Sequence, residues 1–163
     1  MKKIILFAVA TAIATPAFAA PGDSATANGV ATAEVVSPIT LQHTGNALDF
    51  GTFTTGDVPG SVVVDRLGNG SVGSGDVTLV AGSVEAADEF TVGGDSNRTF
   101  TITTAAGSVT NGTDTMNFTT DAPATGTLVG GSATFNVGGE LFVNGGESAG
   151  TYSGSYEVTV AYN

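Results

Sequence analysis

Apolar residues in this chain recur at every second position far more often than at every third and fourth. RTFTITT sets Phe100 and Ile102 against outward threonines, and EFTV places Phe90 and Val92 on one face. TMNFTT sets Met116 and Phe118 against Asn117 and Thr119, and SATFNV alternates Ala133, Phe135 and Val137 before Gly138 and Gly139 break it ahead of ELFVN. Successive side chains of a strand point to opposite faces, so a period of two predicts half-buried strands. NALDFGTFTTG continues the pattern with Leu48, Phe50 and Phe53, and EVVSPITL starts a strand in which Pro38 marks an edge or a bulge. The three valines of GSVVVD predict a strand buried on both faces or one passing a bulge. The closing stretch GTYSGSYEVTVAYN predicts a strand from near Tyr152, with Tyr156, Val158, Val160 and Tyr162 on one face and Glu157, Thr159 and Ala161 on the other. Hairpin signals stand at Asn69-Gly70 and Asn144-Gly145. Helical spacing is confined to the first residues.

Roughly seven to ten short strands separated by Gly, Asn and Asp turns predict an all-β fold, an immunoglobulin-like antiparallel β-sandwich over residues 34–163. The absence of cysteine and tryptophan argues against an antibody-type domain. A jelly roll and a β-solenoid are the alternative architectures, but a solenoid requires a fixed repeat and none is found. The opening MKKIILFAVATAIATPAFA has two lysines, a short apolar run and a small-residue ending. That pattern predicts a signal peptide helix over residues 1–19, cleaved on export, because the run is too short to span a bilayer. Residues 20–33 are a flexible leader of small side chains. Export places the protein in the periplasm, at the outer cell surface or outside the cell, with no membrane insertion after cleavage.

Charge narrows the partners. Loss of residues 1–19 leaves Arg66 and Arg98 as the cations against 15 acidic residues. Nucleic acid and anionic lipid are excluded as partners, since both are held by Lys and Arg. One histidine and no cysteine leave few catalytic sets to assemble, so the expectation is a non-enzymatic chain with no catalytic residue and no cofactor. His43, in LQHTGN, is expected as an exposed loop residue, and the neighbours Asp88 and Glu89 would point to opposite faces of a strand. Calcium is the one metal with enough oxygen donors, from Asp95 and Asn97 in GGDSN or from Asp76 in GNGSVGSGD. Neither loop has a known calcium-motif spacing, and turn formation accounts for both.

ALDFGTFTTG, EFTVGGDSNRTFTITT, VGGELFVN and AGTYSGSYEVTVAYN, in this order, resemble the domain of unknown function 4402 family of exported bacterial β-sandwich proteins, over Ala33 to Asn163. The Gly-x-Tyr ending is also similar to spore coat protein U-like subunits of archaic chaperone-usher pili. That second resemblance implies a pilin-like fold lacking one strand, the gap being filled by a chaperone and then by the N-terminal extension of the next subunit. It implies that Tyr156, Val158, Val160 and Tyr162 form core and groove wall, and that the chain ends there so that a partner can reach the edge. The implied partners are further copies of the chain, a chaperone or an usher. Two features depart from those subunits: there is no disulfide, and the donor positions Ala25, Ala27, Gly29, Ala31 and Ala33 are all small. Two functions follow as expectations. One is a structural or adhesive, fimbria-like surface subunit assembled by β-strand addition. The other is a monomeric glycan- or calcium-binding β-sandwich module. A secreted hydrolase using acids alone is a third reading.

Overall fold

The alternating segments form eleven antiparallel strands in a computed structural model that describes Gly22 and residues 24–163. They are β1 (Thr40–His43), β2 (Phe53–Val64), β3 (Gly70–Leu79), β4 (Asp88–Gly93), β5 (Thr99–Thr104), β6 (Gly107–Thr110), β7 (Thr115–Asp121), β8 (Thr125–Thr127), β9 (Ser132–Val143), β10 (Ser153–Ser155) and β11 (Val158–Tyr162). Among the described residues there is no helix. The signal peptide expected over residues 1–19 lies outside them. Residues 24–34 belong to a unit of their own and are exposed and without strand, and the compact unit runs from Val35 to Asn163. Its first strand starts at Thr40, just past Pro38, where a missing N–H removes no ladder bond.

The strands make two sheets, so the fold is all-β and sandwich-like. The larger sheet runs β1-β4-β9-β7-β6-β10, with β2 joined to β9 and β3 to β2, and the smaller runs β11-β5-β8. β9 is the spine of the larger sheet. Its first half, Ser132 to Val137, pairs with β4, and its second half pairs with both β2 and β7. Gly138 and Gly139 therefore do not break the strand, contrary to the sequence expectation. A Cβ on Gly138 would lie 2.3 Å from the Val64 carbonyl oxygen, and one on Gly139 2.4 Å from that of Thr119. These glycines let neighbouring chains close on the spine, a second use of glycine beside turn formation.

Two further expectations are corrected. The β2–β3 turn is built by Asp65, whose Oδ1 accepts from the Leu67 and Asn69 amides at 2.8 Å each, with Gly68 at φ 84°. Asn69 closes that turn and Gly70 already belongs to β3, so an aspartate four residues before Asn69 outranks the Asn-Gly pair. The closing stretch is two strands, not one. β10 pairs with β6 in the large sheet and β11 with β5 in the small one, and the chain changes sheets at Tyr156 and Glu157. The predicted faces survive: Tyr156, Val158, Val160 and Tyr162 are partly buried, while Glu157, Thr159 and Ala161 are exposed.

Apolar burial divides into two clusters. Phe90, Val92, Phe135 and Val137 of the large sheet meet Phe100, Ile102 and Leu128, together with β11, on the side of the small sheet. The second cluster, around Val62, Val64, Met116, Phe118, Leu141 and Val143, includes no residue of the small sheet. Each fully buried Val, Leu or Phe contributes about 1.5 to 3 kcal/mol, which offsets chain entropy without a disulfide. Tyr156 packs against both clusters, so the point of sheet crossing joins the two halves of the core.

Candidate functional site

Because the small sheet covers only the first cluster, the rest of the large sheet curls into a half-barrel whose inner face is a trough of about 1130 Å³. Its floor is apolar, with Phe50, Phe53, Val109, Met116, Phe118 and Leu141. Residues 47–55 make one wall and residues 147–156 the other. Among the described residues, both walls carry strand edges with pairing on one side. Phe53, Thr54 and Thr55 pair with β3, while β9 reaches β2 only from Gly60 onward. Among the described residues, Ser153 to Ser155 of β10 pair with β6 alone. Main-chain donors and acceptors of an edge strand are a template for a further strand.

Asp88, His43 and Tyr156 also line the trough. Asp88 starts β4 in phase with Phe90 and Val92, and this alternation turns a carboxylate into the core, where it is 5% exposed. The Tyr156 hydroxyl donates to Asp88 Oδ2 at 2.7 Å. Oδ1 is buried, with no hydrogen bond aligned on it, although His43 Nε2 stands 2.7 Å away. His43 is not in a loop as expected. It is the last residue of β1, opposite Phe90, with its ring 5.4 Å from the Phe90 ring and its side chain 51% exposed. Phe90 in turn stacks on Phe135 at 5.5 Å, and Tyr156 sets its edge against Phe90 and Phe118 at 6.5 and 5.9 Å. Burial, the bond to Asp88 and the Asp88 charge, in that order, push the Tyr156 hydroxyl up from its ordinary value. It is a fixed donor at neutral pH. The cluster is thus a buried carboxylate held between a tyrosine hydroxyl and a histidine ring.

Hydrogen bonds fix the second wall. Glu147 accepts from the Asn144 amide with one carboxylate oxygen and from the Gly145 amide at 3.0 Å with the other, closing the turn after β9. Asp114 accepts from the Ser148 amide at 2.8 Å, and the Tyr152 hydroxyl donates to the Ser148 carbonyl at 2.8 Å. The Ser148 bonds hold the Asp114 carboxyl below its usual range, while partial desolvation and the Asp114 charge raise Tyr152.

The residues singled out from the sequence lie as follows. Tyr156 lines the trough, whereas Val158, Val160 and Tyr162 pack on the first core cluster. Asp95 accepts from the Ser37 amide at 3.1 Å and lies 3.5 Å from Arg98 Nε, in the turn between β4 and β5. Asn97 holds a positive φ of 64° in the same turn, and Asp76 is on the exposed face of β3. Among the described residues no three His, Cys, Asp or Glu side chains gather as a metal centre would require. Sequence reading passed over Asp88 as a site residue. Extending the Phe90 and Val92 alternation back by one step would have placed it on the inner face.

No curated protein and no solved structure matches the chain. The family described as Domain of unknown function (DUF4402) matches residues 39–162, a span that takes in every strand from β1 to β11, and the chain belongs to that family.

Proposed function

We propose that the protein is an exported, non-enzymatic structural subunit of the bacterial surface, built into an assembly by accepting a β-strand in its trough. One observation carries the reading: an apolar trough flanked by two strand edges, Phe53 to Thr55 and Ser153 to Ser155, each paired on one side only among the described residues. Strand addition draws affinity from main-chain hydrogen bonds to an open edge and specificity from alternate side chains entering pockets. The trough supplies both. The Gly-x-Tyr ending read as pilus-like from the sequence and the secretory pattern of the first residues support the same reading, as does the sheet crossing at Tyr156, beyond which β11 joins the small sheet. An adhesive role at the surface is compatible with it.

Hydrogen exchange on the full chain, purified as monomer and as recovered from the cell surface, tests the reading. Within Phe53 to Thr55 and Ser153 to Ser155, the amides that point away from β3 and β6 exchange fast in the monomer and become protected in the assembly. Ala149→Trp, on an exposed wall position of the trough, blocks assembly without unfolding the chain. An assembly in which those amides stay unprotected, or a chain that is monomeric in place on the cell, refutes strand addition and leaves the monomeric binding module.

A further inference from the structure

Granting the strand-acceptor reading on which this rests, the charge and size of the trough identify the occupant. We propose that it is a strand of a different protein, with bulky apolar side chains at alternate positions and a Lys or Arg that reaches Asp88, and not the N-terminal segment of another copy of this chain.

Size gives the first argument. The floor is formed by phenylalanines, Met116 and Leu141, and the space above it is about 1130 Å³. The segment from Ser24 to Ala33 offers no side chain larger than Val30, and most are Ala, Gly, Ser or Thr. Such a strand would make its main-chain bonds and leave the apolar floor unfilled. Empty space over an apolar surface forfeits the contacts that make burial favourable.

Charge gives the second. Asp49, Asp88 and Glu147 line the trough, and neither of the two arginines does. The segment 24–34 carries Glu34 and no cation, so a second copy would bring like charge to an acidic cleft. Asp88 sharpens this into a position. It is nearly fully buried and lines the trough, and the group beside its Oδ1 is the half-exposed His43, whose Nε2 stands 2.7 Å away. A buried carboxylate oxygen is satisfied best by a charged donor. Over longer range, 15 acidic residues against Arg66 and Arg98 steer a basic partner inward and repel another copy.

Three synthetic peptides discriminate the possibilities on the full chain: an alternating Val/Leu and Thr strand with Lys at both ends, the same strand with Glu at both ends, and the segment Ser24 to Glu34 itself. Fluorescence anisotropy of labelled peptide reads affinity. The Lys peptide binds more than about tenfold tighter than the Glu peptide, as complementary charge at an interface requires. The difference shrinks at about 0.5 M salt, where exposed charges are screened. Asp88→Asn reduces Lys-peptide affinity about tenfold and leaves the Glu peptide unchanged. Should Asp88→Asn fail to fold, the salt dependence on the unaltered chain decides. Equal binding of the Lys and Glu peptides, or binding of the Ser24 to Glu34 peptide as tight as the Lys peptide, overturns the proposal. Failure of every peptide to protect the amides of Phe53 to Thr55 and Ser153 to Ser155 overturns strand addition itself, a distinct result.

Discussion

The Tyr156 hydroxyl donates to Asp88 Oδ2 at 2.7 Å, tying the point where the chain changes sheets to a carboxylate buried at the start of β4. Tyr156→Phe keeps the edge contacts with Phe90 and Phe118 and deletes this donor. The expected cost is about 1 to 3 kcal/mol, the penalty for leaving a buried acceptor unsatisfied. Tyr156→Ala, which also removes the ring shared by both core clusters, costs about 3 to 5 kcal/mol. Urea unfolding of the two variants orders them.

The same pair sets an alkaline limit. Folding raises the Tyr156 hydroxyl above its ordinary 10.0, so above about pH 10 the unfolded chain releases a proton that the folded chain keeps. Stability is fully present below that pH and declines as pH rises through it. Urea midpoints fall above about pH 10 in the parent chain, with a shallower fall in Tyr156→Phe. Tyrosinate absorbance shows Tyr156 ionising together with unfolding, as the difference between the parent chain and Tyr156→Phe.

At the acid end the signs reverse. Asp65 is held below its ordinary value of 3.8 by Asn69, Asp95 by Ser37 and Asp114 by Ser148. Below about pH 4 the unfolded chain takes up protons that these folded carboxylates resist, so stability falls with pH. Asp114→Asn flattens that acid limb, measured as urea midpoints between about pH 5 and about pH 2.5. A variant as acid-sensitive as the parent removes Asp114 from the account.

Glycine substitutions separate close approach from chain freedom. Gly138→Ala and Gly139→Ala drive a methyl into the Val64 or Thr119 carbonyl across the spine and cost about 1 to 3 kcal/mol or more. Gly29→Ala meets nothing within 4 Å and stays within about 0.5 kcal/mol of the parent. Thermal melts of the three variants give the comparison.

Truncation before Tyr156 removes β11, the Tyr156 ring and the Tyr162 hydroxyl that donates to the Ser37 carbonyl at 3.0 Å. β5 is then left with the short β8 alone. The truncated chain is expected to lose its cooperative melt and near-ultraviolet dichroism. A sharp transition at the parent temperature contradicts the assignment of β11 to the core.

Local chemistry alone determined the strands and their faces: Phe90 and Val92, Phe100 and Ile102, Met116 and Phe118, and Phe135 and Val137 are all buried as their alternation requires. A strand's two faces follow from the pleat, which every residue carries with it. The trough was not legible, because it exists only through what each strand lies beside. The two-glycine step in β9 reads as a break until β2 and β7 close on it, and Tyr152 to Tyr162 reads as one strand until its halves join different sheets. Likewise, His43 reads as a loop residue until Phe90 and Asp88 meet it across the β1–β4 ladder. Sequence fixes which way a side chain points, but pairing among strands far apart in the chain decides what it points at, and the open half-barrel is a product of that pairing.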